Sequence, residues 1–174
     1  MLIDVMVDVE ADGPVPGLFS MTEIGAVVVE PNLLRKFYGK CAPISPVSNP
    51  EALAVTGYTR ADIEKWPDPR KTIQEFYLWL VSLKSNENDR LIFWSDNNGF
   101  DFAFVNYYFI NFEGRNPFGH SSNNMRNLYN GLKKSMSASY RYLRRTKHDH
   151  NPLNDATGNA ECLLDIKQMM REKE

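Results

Sequence analysis

Cysteine is scarce in this chain: only Cys41 and Cys162 occur, far apart and without Cys-x-x-Cys spacing. That excludes a disulfide framework and a thiolate zinc site, and both thiols are expected as small buried hydrophobes. No apolar run approaches the roughly 18 residues of a membrane span. The first nine residues carry Asp4 and Asp8 where a secretory leader would have a basic start and an apolar stretch. The expectation is an untargeted cytoplasmic protein with no membrane partner. Repeats, linkers and low-complexity tracts are also missing. A chain of 174 residues, 43% hydrophobic and 24% charged, therefore fits one globular domain over 1–174 and not a disordered or fibrous protein.

A formal net charge of -2 hides a segregation. Between Gly114 and His148 stand eight basic residues (Arg115, Arg126, Lys133, Lys134, Arg141, Arg144, Arg145, Lys147) and no acid, which leaves 12 basic against 22 acidic residues elsewhere. The same segment holds Phe118, Tyr129, Tyr140 and Tyr142. Cations interleaved with flat rings suit a phosphate backbone with exposed bases, although a charge run also fits a solvated face.

Leu2–Val9, Glu23–Glu30 and Leu33–Ala42 read as three strands, the second with the near-continuous apolar stretch Ile24–Val29 of a strand buried on both faces. Asp12–Gly17 between the first two is a glycine- and proline-rich loop. Helical spacing of Ile73, Phe76, Tyr77, Leu80 and Leu83 predicts a helix over 69–83. Arg90–Trp94 is a short strand and Asp96–Gly99 a turn. A second amphipathic helix carries Phe104, Val105, Tyr108, Phe109 and Phe112, and a C-terminal one carries Cys162, Leu163, Ile166, Met169 and Met170. The order βββ-α-β-α, a basic insertion over about 114–148, then α, predicts an α/β fold with a mixed sheet and helices against its faces.

Three acidic signals stand out. Asp8 and Glu10, one residue apart on a strand of period two, project from the same face. Two such carboxylates repel unless a hard cation such as Mg²⁺ or Mn²⁺ relieves them, though a solvated strand end is the plainer reading of one Asp-x-Glu. Asp101 follows a strand and opens a helix; it could cap that helix, yet it lies three and four residues before the apolar Phe104 and Val105. Asp155 lies seven and eight residues before Cys162 and Leu163, on the apolar stripe, where an unpaired charge is expensive. His150, on the loop before Pro152, is spaced to take a proton from an attacking water, or is an ordinary surface histidine.

Together, Asp8, Glu10, Asp101 and Asp155, with His150 in the spacing His-x-x-x-x-Asp, resemble the DEDDh exonucleases, 3′-to-5′ enzymes related to ribonuclease T and to proofreading domains. Between the motifs, Pro50–Thr59 resembles that family's helix-then-Gly-aromatic-Thr segment, and Phe100-Asp101 its Phe-Asp step. Thr146–Pro152, reading Thr-Lys-His-Asp-His-Asn-Pro, is most similar to a compact bacterial or phage-type group.

The resemblance implies a ribonuclease H-like fold with a five-stranded mixed central sheet flanked by helices. Its fifth strand should be very short or lie near 123–129. It implies two divalent cations, Mg²⁺ or Mn²⁺: Asp8, Glu10 and Asp155 would hold the first, and Asp8 the second, with Asp101 supporting it directly or through water. His150 would be the general base, and nucleoside 5′-monophosphates would leave single-stranded RNA or DNA 3′ ends. Ala11, Phe19, Met21 and Asn97 are expected to meet the terminal nucleotide, with Phe19 and Met21 equally suited to anchor their loop to the core, and Arg144, Arg145, Lys147 and His148 to meet the phosphates upstream. Homodimers are frequent among stand-alone relatives, so self-association is also an expectation. The chain departs from the family at Ala11-Asp12, at Asp96 where His often stands, and at Pro152. These leave RNA against DNA open. A nucleotidase or phosphatase acting on mononucleotides and an idle nucleic-acid-binding module are the alternatives.

Overall fold

Strand β1, Leu2–Ala11, organises the molecule because it is apolar at both parities and can be buried on both faces. The computed structural model describes residues 1–172. In it β1 pairs antiparallel with β2 (Met21–Val28) and parallel with β4 (Arg90–Ser95). Strand β3 (Lys36–Lys40) lies antiparallel on β2, and a two-residue β5 (Asn123–Asn124) lies parallel on β4. The mixed five-stranded sheet has the order β3-β2-β1-β4-β5, and its fifth strand is as short as expected. Strand β3 is shorter than the 33–42 read from sequence. A turn over Glu30–Leu33, with Leu33 at φ 48 and an Arg35–Glu30 ion pair, takes up its start.

Helices α1 (Pro50–Thr56), α2 (Arg60–Ile63), α3 (Pro69–Ser82) and α4 (Asn98–Glu113) follow, then α5 (Met125–Lys133), a 3-10 turn over Arg141–Leu143, and α6 (Pro152–Arg171). Parity in β1 divides the core. Val5, Val7 and Val9 pack with Ile73, Phe76, Phe104, Val105 and Phe109 of α3 and α4. Met6 and Val27 pack on the other face with Ala156, Ala160, Cys162, Leu163 and Ile166 of α6 and Met125 and Tyr129 of α5. Each fully buried large apolar side chain contributes roughly 1.5–3 kcal/mol, so these two layers fix where both helix sets dock. Both cysteines are free and buried. Among the described residues no helix is long and apolar enough to cross a membrane.

The topology selects one edge of the sheet. Because β1 and β4 run parallel, their carboxyl ends lie side by side, with α4 leaving directly from β4. The N-terminus of α6 joins them, positioned by Asn151, whose side chain accepts from the Leu153 and Asn154 N–H groups, and by Pro152 in the first turn. Gly25, paired with Asp8, permits this approach: a Cβ there would collide with the Pro152 and Leu153 backbone. In open α/β sheets a crevice outside the carboxyl ends of the strands is where ligands bind.

Candidate active site

A cleft of about 710 Å³ opens at this edge. Asp8 and Glu10 enter it from β1, on the parity of Met6 that faces α6, as the period of two requires. Asp101 enters from the first turn of α4 and Asp155 from the first turn of α6. Asp101 does not cap its helix. Asn97 occupies the cap position, and one Asp101 oxygen instead accepts the Val9 N–H at 3.3 Å.

The carboxylates form two clusters that share Asp8. Oxygens of Asp8, Glu10 and Asp155 lie within 4.8 Å of one another, as do those of Asp8, Asp96 and Asp101. Asp101 and Asp155 are buried, and Oδ2 of each lacks a hydrogen-bond donor. His148 Nδ1 approaches Asp155 Oδ2 to 2.7 Å without the alignment of a hydrogen bond. Burial, then the neighbouring Asp101, Asp96, Glu10 and Asp155 charges, push Asp8 well above the usual carboxylate range. Burial and Asp96 do the same to Asp101, and burial with Asp155 and Glu23 pushes Glu10 up to about 8. Unrelieved buried carboxylates are costly, and an all-oxygen donor set with orphaned lone pairs fits a hard divalent cation.

Among the described residues one guanidinium meets the first cluster. Arg144 lies over Gly158, donating through Nε to the Thr146 carbonyl at 2.7 Å, through Nη1 to Asn159 Oδ1 at 2.9 Å and through Nη2 to Asp155 Oδ1 at 2.6 Å. Asn159 in turn donates to Asp96 Oδ1 at 3.1 Å, and Tyr140 donates to Asp96 Oδ2 at 3.3 Å. A polar chain thus links Asp155 to Asp96 across the cleft. His150, at φ 59, turns Nδ1 to 4.0 Å from Glu10 Oε1, and its ring centroid is 4.7 Å from that of His148.

The structure therefore brings Asp8, Glu10, Asp101, Asp155, Asn97, Arg144 and His148 to one cleft, with His150 beside it. Ala11, Phe19, Met21, Arg145 and Lys147 do not line it. The expectation for Met21 needs correction: its side chain is sealed in the core, because β2 is buried at both parities, and has no surface to offer a nucleotide. Phe19 folds over Gly13. Arg145 pairs with Asp165 on the exposed face of α6, and Lys147 is exposed. Asp12, one of the departures from the family, is enclosed and accepts from the Ser20 N–H and Arg60. Arg126, Tyr140 and Arg141 of the basic segment also line the cleft, and Asn159 lines it without having been singled out in the sequence. Asn159 carried a usable signal, since it lies one helical turn after Asp155 on an otherwise apolar face.

Comparison with known proteins gives the following. The family model described as Exonuclease matches residues 5–163. The "3'-5' DNA exonuclease Cap18" of Escherichia coli is 34% identical over 183 positions, covering 98% of this chain and 95% of that protein. The nuclease domain of 3'hExo, a DEDDh family member bound to rAMP, superposes with a TM-score of 0.74 at 14% identity, over 95% of this chain and 92% of its own. E. coli Exonuclease I in complex with a dT13 oligonucleotide gives 0.70 at 14% identity, over 99% of this chain and 42% of the other.

Proposed function

We propose that this chain, which belongs to the DEDDh 3′-to-5′ exonuclease family and is a 3′-to-5′ exonuclease, removes nucleoside 5′-monophosphates from single-stranded DNA ends through one domain spanning its length. The observation that carries the reading is Asp8 standing in both carboxylate clusters. The family uses divalent metal, and the acidic clusters suit it. In this reading Asp8, Glu10 and Asp155 hold one Mg²⁺ or Mn²⁺ ion and Asp8 with Asp101 a second. When bound, such a pair stabilises the charge on the attacking and leaving oxygens of an in-line displacement. DNA is favoured over RNA because the 34%-identical relative is named for DNA.

The chain's own groups do the rest. Arg144 fixes the Asp155 carboxylate by a charge-assisted hydrogen bond through one oxygen and leaves the second without a hydrogen-bond donor. His150, with Nδ1 toward Glu10, accepts the proton of the attacking water at Nε2. Asn97 and Phe100 line the cleft, where an amide and a ring can hold the terminal nucleotide. A second reading makes His148 the base, favoured by its 2.7 Å approach to Asp155.

The test is incubation with Mn²⁺, and with EDTA as control, of end-labelled DNA and RNA single strands with free or blocked 3′ ends, beside a mononucleotide. A one-nucleotide ladder on free 3′ ends, faster on DNA and lost in EDTA, is the expected result. Phosphate released from the mononucleotide with no ladder would replace the reading with a phosphatase, and a faster RNA ladder would reverse the substrate preference.

A further inference from the structure

We infer that Asp96 is an additional ligand of the second cation, so that this site has three carboxylates, Asp8, Asp96 and Asp101, and takes up its ion before nucleic acid arrives. The inference rests on the exonuclease reading above. The first support is register. Strands β1 and β4 pair with one constant offset from Leu2–Arg90 to Met6–Trp94. Continued two residues past the paired segment, that offset brings Asp96 level with Asp8 at the carboxyl edge. The second is distance. Oxygens of Asp8, Asp96 and Asp101 all lie within 4.8 Å of one another, comparable with twice a metal–oxygen bond of about 2.0–2.6 Å.

The third support is an unmet demand. Asp101 is 2% exposed, one oxygen is held by the Val9 N–H, and Oδ2 has no donor. Arg144 partly neutralises the cluster around Asp155, whereas among the described residues no ion pair reaches Asp96 or Asp101. Asp96 is nevertheless held in place, each oxygen accepting one hydrogen bond from a neutral group, Asn159 or Tyr140. A carboxylate oxygen has capacity beyond one such bond. Asp96 is thus oriented without being neutralised, as a cation ligand should be. Hard-cation sites tighten with the number of charged ligands, so a third carboxylate raises affinity in the absence of substrate phosphate.

The experiment is a Mn²⁺ titration of the metal-free full chain without nucleic acid, followed by calorimetry and by the electron paramagnetic resonance signal of free Mn²⁺. Wild type should take up two ions. Asp96→Asn keeps the shape and should weaken the second ion by at least about tenfold while sparing the first; loss of an outer partner of a metal ligand already costs about 10–100-fold. Tyr140→Phe and Asn159→Ala each remove one hydrogen bond to Asp96 but keep the carboxylate, and should weaken the second ion less than Asp96→Asn does. A thermal melt of each variant checks folding. Two ions bound by Asp96→Asn within twofold of wild type would overturn the inference, and so would equal weakening by the Tyr140 and Asn159 variants. In either case a normal wild-type ladder leaves the exonuclease reading intact. A wild type with neither Mn²⁺ uptake nor a ladder overturns both.

Discussion

Replacing Glu10 by Gln in metal-free protein converts the electrostatics of the cleft into a measurable stability. Glu10 is 16% exposed, and burial together with Asp155 and Glu23 raises its ionisation from 4.5 to about 8. In the unfolded chain the carboxyl ionises near its ordinary value, so between those two pH values folding takes up a proton and stability falls as pH rises. The penalty is absent below 4.5 and complete above about 8. At 1.36 kcal/mol for each unit, it is about 3 kcal/mol at pH 7 and about 5 kcal/mol above pH 8. Gln carries no charge, so metal-free Glu10→Gln should be more stable by that order at neutral pH, or roughly 6–12 °C in Tm for a chain this long. Melts in EDTA from about pH 5 to pH 9 should also show a pH slope shallower by up to about 1.4 kcal/mol for each unit. Added Mn²⁺ should raise the wild-type Tm more than the variant's, since a ligand stabilises only the state that binds it. A variant no more stable than wild type at pH 8 in EDTA, or a parallel pH profile, refutes the reasoning.

Other consequences are open to equally direct measurement. Asp8→Ala and Asp155→Ala should each leave less than a few per cent of ladder activity while melting as folded proteins, because no neighbouring group is placed to replace the lost oxygens. His150→Ala should lower kcat by about 10²–10⁴ and His148→Ala chiefly weaken substrate binding; the reverse pattern moves the base to His148. Arg144→Ala should reduce kcat by releasing Asp155, whereas Arg145→Ala, which breaks an exposed and solvent-screened pair with Asp165, should leave stability and activity close to wild type. A KM and salt-slope effect alone from Arg144→Ala would return it to phosphate binding. Gly25→Ala should destabilise by about 1–3 kcal/mol and impair activity, because α6 must retreat from Asp8; a normal Tm and rate would show the approach is not needed.

Local rules were enough for much of this protein. Strand parity put Asp8 and Glu10 on one face, helical spacing put Asp155 on the buried stripe of α6, and the aliphatic run of β2 marked a strand covered on both sides. Each depends on residues a few positions apart, where backbone geometry alone fixes the relation. What the tertiary structure decided involves long separations. The parallel register of β1 and β4 sets Asp96 beside Asp8, and Gly25 lets the start of α6 close over the strand. Docking of α6 also gives Arg144 to Asp155 instead of to solvent, and enclosure of β2 withdraws Met21 from any nucleotide. No local period encodes those relations, because pairing offset and layer packing are settled by burying apolar surface over the whole sheet, and the polar side chains at its carboxyl edge take the partners that this burial leaves within reach.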